Sequence, residues 1–401
     1  MDILMILEHD FPYDERVEKE SISLLKAGYN VTILCPTILP ERKGQFDHNG
    51  IIIKRFLTTS IFLKKFRAAA LTLPFYFLKW KKEVSKVFLE DSYDFIHVHD
   101  LPLARIGIQA GEKYKIATII DFHENYPYML QVEPFTQSIL GRIFIPITLW
   151  KRYERRTIEK INYGFCVVEE MRDRLHQFNN KAHLEILNNT LEESGWPEPT
   201  EKPIINNTRN LIKLVFVGRL TPKRGLETAI EGIKIFNRAT INRKAHLHIY
   251  GHGNEKYIKT LNKLIAINDL MQHVELKGFL NLPHNGHVLS SYDFSLIPNQ
   301  RSIQTDFSNP NKLYQYLYYG LPIISSDCPS LQRIISTNNL GIIFEAGNPS
   351  DFCDKLIELI QLDSDNSIHY TCLKYSEKYG RWKNSETALY NLYNKIKEEA
   401  Y

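Results

Sequence analysis

A chain of 401 residues, 43% hydrophobic and 24% charged, is too long for one ordinary core and points to two globular domains. A net charge of +4 argues against nucleic acid as a partner, and five scattered cysteines without a C-x-x-C pair argue against a zinc module and for a reducing compartment. No apolar run approaches the roughly 20 residues of a membrane span, so a cytoplasmic protein is expected. The opening MDILMILEHD lacks a basic start and has Glu8 ending its apolar run, so it reads as a strand rather than a signal peptide.

Strands alternate with helices throughout, the pattern of parallel sheets covered on both faces. Residues 2–8 and 31–36 read as strands, with a helix between them that ends near Lys26 and Gly28. DFIHVHD (94–100), ATIIDFHE (117–124) and INYGFCVVEE (161–170) follow as strands of the same half. Ligands of such sheets bind beyond the carboxyl ends of the strands, which lines up Asp14, Asp100, His123 and Glu124 along one rim. The polar, proline-bearing stretch 188–210 marks a linker, placed at 191–210 between a domain over 1–190 and another over 211–375. The second series has strands at 211–218, 245–251, 273–279, 293–299, 322–326 and 341–346. Residues 376–401 read as a closing helix.

Two turns in this second half gather positive charge. In FVGRLTPKRGLE (216–227), Thr221 and Pro222 suit an N-cap and first helical position, with Arg219, Lys223 and Arg224 around them. In SNPNKLYQYLYYGLPIISS (308–326), Asn309 suits an N-cap and Pro310 the first position. Lys312 lies in the first turn, and Asn311 and Gln315 share a face. Both are built as anion sites, since a helix start presents N–H groups and partial positive charge. The glycines of IYGHGNEKY (249–257) are a weak phosphate signal, because Lys256 stands where a dinucleotide fingerprint needs its third glycine. His97 and His99 alternate onto one strand face. They read either as part of a metal site, with His123 and Glu124 as further ligands, or as buried hydrogen-bonded histidines.

The run PNKLYQYLYYGLPII resembles the PNKLxEYxxxGxPVI element of GT-B glycosyltransferases of the retaining family 4 type, and GRLTPKRG resembles their GRLxxxKG element. The resemblance implies a GT-B α/β fold: two Rossmann-like domains, a cleft between them, and a last helix returning to the first domain. It also implies a nucleotide-sugar donor and a reaction without a metal. Arg219, Arg224 and the 309–312 loop would hold the diphosphate, with Gly218 and Leu313 in the matching elements. Gln315 would read the ribose, where the family usually has glutamate, and Phe307 stands where it often has another. Phe279, in a segment similar to the one that meets the nucleobase, is either a donor contact or core. DFHENYP resembles the segment whose histidine lies near the transferred sugar, which makes His123, Arg219 and Lys312 the catalytic candidates. Asp14, Asp100 and Glu124 fall on the acceptor side.

The expected activity is sugar transfer from a UDP- or GDP-sugar to a glycan or lipid-linked acceptor, as in surface polysaccharide assembly. A non-catalytic scaffold is the alternative suggested by Gln315 and Phe307, and a sugar-nucleotide epimerase on the same fold is another. Residues 63–88 and 138–156 mix Lys and Arg with aromatics, which suits either the surface of an anionic membrane or amphipathic helices packed on the domain.

Overall fold

The computed structural model describes residues 1–199 and 210–400, so half of the expected linker, 200–209, lies outside the described residues. The chain forms two compact units. One comprises Met1–Asn188 together with Ser385 onward, and the other comprises Asn189–Asn384.

The first unit is built on a sheet whose described strands run in the order β3-β4-β2-β1-β5-β6-β7-β8. These are β1 (Asp2–Ile6), β2 (Asn30–Thr37), β3 (Gly44–His48), β4 (Ile51–Leu57), β5 (Phe95–His99), β6 (Ala117–Phe122), β7 (Tyr163–Cys166) and β8 (His183–Ile186). All neighbours are parallel except β3 with β4. The helices are α1 (Glu15–Lys26), α2 (Phe75–Glu90), α3 (Leu101–Tyr114), α4 (Tyr126–Gln131), α5 (Pro134–Gln137), α6 (Ile139–Phe144), α7 (Ile147–Ile158) and α8 (Glu169–His176).

The continuous apolar runs of β1 and β2 are buried, as covering on both faces requires. The hairpin β3–β4 escapes the hydrophobic pattern because β3 is nearly all exposed. Its local signal is Asn49-Gly50, both with positive φ, the dipeptide that a tight hairpin turn favours. Glu169 and Glu170 open α8 rather than extend the strand, where acidic groups meet the positive end of the helix. The aromatics of 63–88 and 138–156 divide: Tyr76, Trp80, Trp150 and Tyr153 are core, which favours packed helices for those residues.

The second unit carries a parallel sheet in the order β11-β10-β9-β12-β13-β14. Its strands are β9 (Leu211–Val217), β10 (Lys244–Tyr250), β11 (Val274–Gly278), β12 (Phe294–Ile297), β13 (Ile323–Ser326) and β14 (Gly341–Phe344). Around them lie α9 (Leu226–Ala239), α10 (Glu255–Ile267), α11 (Leu282–Asn285), α12 (Ile303–Asp306), α13 (Lys312–Tyr318), α14 (Pro329–Thr337), α15 (Pro349–Leu362) and α16 (Ser367–Tyr375).

Two boundaries differ from the sequence reading. Leu191 is not linker: it is buried in this unit's core, accepts from the Trp382 N–H at 2.7 Å and donates to the Gly380 carbonyl at 3.0 Å. The last helix, α17 (Trp382–Ala400), starts six residues later than expected, because Ser376–Gly380 form a π turn. From Ser385 onward α17 belongs to the first unit, where Tyr393 Oη lies 2.9 Å from His97 Nδ1 and Ser23 Oγ donates to Glu386 at 2.8 Å.

Candidate functional site

In the second unit the tip of β9 and the start of α13 are tied together. The Val217 N–H donates to the Tyr316 hydroxyl at 2.8 Å, and Tyr316, one helical turn after Lys312, fixes where that lysine reaches. Gly218 follows at φ +145°, and a Cβ there would stand 2.8 Å from Lys312 Nζ. Glycine at this position therefore makes room for the ammonium. Lys312 is only 6% exposed. Its Nζ lies 3.5 Å from the centroid of the Phe216 ring and has no hydrogen-bond partner among the described residues. Burial first, and the Arg224 guanidinium second, push its pKa well below the ordinary lysine value.

Arg224 is similarly under-used. It donates to Asn299 Oδ1 at 3.4 Å, while its Nε is buried without a partner. Burial lowers its pKa; the Tyr316 hydroxyl opposes this and Arg219, itself exposed, adds to it. Among the described residues no carboxylate is a cause of either shift. An uncompensated buried cation is costly, and an anionic ligand would remove that cost.

The rest of the predicted donor set is arranged less simply. The helix expected from Thr221 begins instead as a 3-10 turn at Pro222–Arg224, and α9 starts at Leu226 behind Gly225. Gly225 has φ +64° and would place a Cβ 1.9 Å from the Pro298 carbonyl. The other expected start also shifts: α13 begins at Lys312 with Asn311, not Asn309, as N-cap. Its first N–H groups are largely spent, since Leu313 donates to the Pro310 carbonyl and both Tyr314 and Gln315 donate to that of Asn311. Positive charge here comes from the lysine side chain more than from bare amides.

Leu313 is fully buried in the core. Asn309 sits beside the Tyr314 hydroxyl, and Asn311 Oδ1 accepts from Asn189 Nδ2 at 2.7 Å. Gln315 is half-buried. Phe279 is not core: it is 72% exposed, its ring 5.8 Å from that of His252, whose carbonyl accepts the Leu220 N–H at 2.9 Å.

The first unit holds a different arrangement. His97 and His99 stack at 4.5 Å on one face of β5, both buried. Asp121, in register with His99 on β6, is gripped by Arg16 from α1, whose Nε and Nη2 donate to its two oxygens at 2.8 Å each. The same guanidinium reaches Glu20 Oε1 at 3.0 Å and donates to the Leu187 carbonyl at 2.9 Å. His123 Nε2 lies 2.7 Å from Asp121 Oδ2, and the backbone N–H of His123 donates to Asp100 Oδ1 at 3.2 Å. Asp100 itself stands at φ +69° at the start of α3.

Burial disfavours charge on His123, but the Asp121 and Asp100 carboxylates outweigh it and hold its pKa up to about 10. Burial pushes His97 and His99 the other way, with His123 adding to it in both cases. Asp121 is also buried, yet Arg16 and His123 keep it ionised well below the carboxylate range, whereas burial beside Asp121 raises Glu20.

Glu20, His97, His99 and Asp121 offer ligand atoms within 4.8 Å of one another. The donor set does not fit a metal, because the Arg16 guanidinium already occupies both Asp121 oxygens and faces Glu20. The sequence suggested His123 and Glu124 for such a cluster, but neither is in it.

Asp14 is largely committed. It caps α1 by accepting from the Arg16 and Val17 N–H groups and lies 3.0 Å from His9 Nε2. Glu124 is half-buried next to His123 and accepts the Tyr126 N–H at its carbonyl. Site residues absent from the sequence reading are Arg16, Asp121 and Asn299, and Tyr316, whose helical spacing marks it as core-facing, adds a hydroxyl contact that spacing does not show. Of the first three, only Asp121 had a local signal, standing two before His123 on a strand and hence on the same face.

Residues 18–193 match the family model described as Glycosyltransferase Family 4, and residues 212–362 match the one described as Glycosyl transferases group 1. An uncharacterized glycosyltransferase of Methanocaldococcus jannaschii is 22% identical over 340 residues, 84% of each chain. The amylovoran biosynthesis glycosyltransferase AmsK of Erwinia amylovora is 29% identical over 156 residues, 38% of this chain and 37% of that one. Among solved structures, sucrose-phosphate synthase from Thermosynechococcus elongatus superposes with a TM-score of 0.75 at 13% identity, covering 99% of both chains. HepE of Anabaena in complex with UDP gives 0.69 at 12% identity, covering 98% of this chain and 100% of that one. These structures share the GT-B architecture with the chain.

Proposed function

Given that the chain is a glycosyltransferase, with a family 4 domain followed by a group 1 domain, we propose that it transfers a sugar with retention from a UDP- or GDP-sugar to a glycan or lipid-linked acceptor. Surface polysaccharide assembly in the cytoplasm is the setting, in keeping with the amylovoran enzyme's name. A peripheral contact with an anionic membrane belongs to the same reading.

The carrying observation is the unpartnered, buried ammonium of Lys312 behind Gly218, with Arg224 and Arg219 beside it. During transfer the bond from the anomeric carbon to the diphosphate oxygen breaks and one to the acceptor oxygen forms on the same face. The acceptor proton passes to the departing diphosphate. Negative charge grows on that leaving group, and three cations placed beforehand stabilise it without reorganisation, so no metal is assigned to the task. His123, held protonated by Asp121 and Asp100, acts as a donor toward the sugar rather than as a base. Gln315 accepts or donates to the ribose hydroxyls, Phe279 offers its exposed ring to the base, and Asp100 and Glu124 face the acceptor.

A thermal-shift panel of nucleotides tests this. UDP or GDP should stabilise the protein, and Arg219→Ala combined with Lys312→Ala should abolish the effect. No stabilisation by either nucleotide would remove the donor site. Release of the nucleoside diphosphate from a panel of nucleotide sugars would then identify the donor.

A further inference from the structure

Beside the sheet of the first unit, α3 and α7 enclose a groove of about 560 Å³ whose lining includes Arg105, Arg152, Arg156 and Lys160 and no acidic residue. The carboxylates of the α7 segment are engaged elsewhere. Glu154 is buried against Arg174, with two contacts of 2.7 and 2.8 Å, and Glu159 pairs with Arg155 at 2.8 Å. α7 thus neutralises the arginine pointing away from the groove and leaves those facing it without an acid. Leu71 and Leu149 supply an apolar wall.

That wall continues into an exposed apolar element. Leu71 adjoins Thr72, whose hydroxyl donates to the Phe144 carbonyl at the end of α6 at 2.6 Å. α6 is held by its inner face: a Cβ on Gly141 would lie 2.0 Å from the Phe135 carbonyl, and Ile145 is buried. Its outer face therefore points to solvent, with Ile139 80%, Leu140 67% and Ile143 60% exposed, and Arg142 is its one charged residue. Scattered exposed apolar residues need no explanation, but a fixed apolar ridge adjoining a bare cationic groove does.

We propose that the α3–α7 groove seats phosphate headgroups of an anionic bilayer while the α6 ridge enters the headgroup–acyl boundary. The inference deepens the membrane part of the reading above and rests on it. Its occupant follows from charge complementarity: groove cations without an acidic partner among the described residues select anionic phosphates, and the ridge beside them selects phosphates that carry acyl chains.

Flotation of the full chain with vesicles tests it. The protein should float with phosphatidylglycerol–phosphatidylcholine vesicles and stay behind with pure phosphatidylcholine. Arg152→Ala with Arg156→Ala should lower the partition coefficient about 30-fold, each cation contributing about 1 kcal/mol. Ile139→Glu with Ile143→Glu should lower it as well. Lys256→Ala with Lys259→Ala, exposed in the other unit, should leave it unchanged.

Equal binding to both vesicle types, no binding, or an equal loss in the lysine control would overturn the proposal. So would a thermal shift by inorganic pyrophosphate that is lost in the arginine pair without any vesicle binding, which would assign the groove to a soluble phosphate. Both variant pairs should keep the stabilisation by UDP or GDP. Its absence in the unmodified protein would sink the donor reading and leave the flotation result standing.

Discussion

The two units handle buried charge in opposite ways. Around Asp121 the carboxylate itself is answered: Arg16 grips it with two nitrogens and His123 closes the remaining approach, although Glu20 Oε2 and the Nε2 atoms of His97 and His99 beside it have no hydrogen-bond partner among the described residues. Around Lys312 the charges are all of one sign and the ammonium has no partner. A carboxylate paired in this way sets the position and protonation of a side chain at its edge, here His123. An unanswered cation stays in unfavourable surroundings until an anion arrives. On the reading proposed above, the first is a positioning device and the second is the donor's binding site.

The contrast can be broken most forcefully at Asp121. Asp121→Asn leaves Arg16 buried without its counter-charge, and should lower unfolding free energy by about 3–5 kcal/mol in urea titrations. A loss below about 1 kcal/mol would mean that the cluster is not a closed network. Lys312→Met should act in the opposite sense. Removing an unpaired buried cation should raise the melting temperature of the nucleotide-free protein, while UDP or GDP binding weakens by about 2 kcal/mol, roughly 30-fold by calorimetry. Destabilisation together with unchanged binding would contradict the assignment.

A subtler test uses protons. The depressed pKa of Lys312 should return upward beside a diphosphate, so binding at mildly alkaline pH should take up protons, visible as a buffer-dependent calorimetric heat. Lys312→Met should abolish that uptake. Gln315→Glu gives the smallest expected change, nucleotide binding tighter by about 1 kcal/mol, since a carboxylate is the stronger acceptor for ribose hydroxyls. Weaker binding would place Gln315 away from the ribose.

The paired cluster also predicts a pH window. His123 is raised to about 10 from its ordinary value near 6.5, so its contribution is fully present below that value and lost as pH rises through about 10. Asp121 is depressed, burial being outweighed by Arg16, so its contribution is present above the ordinary carboxylate range and lost on acidification. Urea midpoints should therefore be highest between the carboxylate range and about pH 6.5, and fall on both sides, the alkaline fall running from there to about pH 10. His123→Gln should flatten the alkaline fall alone.

Much of this was legible in one dimension, because periodicity and turn chemistry are local. Alternating strands and helices gave the two α/β halves, and the NPNKLYQY and GRLTPKRG runs located the cations. What escaped were short or mixed elements such as β3 and β8, and the capping details at Asn311 and Gly225. A shift of two residues there changes which amides remain unbonded. Phe279 illustrates the limit well, since its sequence context left core and contact equally open until its exposure was known.

The sequence by itself determined the fold class, the glycosyltransferase resemblance and the identity of the positively charged residues. Only the tertiary structure decided which charges are satisfied. That Arg16 reaches Asp121 across 105 residues, while Lys312 meets the Phe216 ring and no hydrogen-bond partner among the described residues, depends on how α1 lies against β6 and α13 against the tip of β9. Burial and pairing are properties of neighbours in space, and a linear order of residues does not contain them.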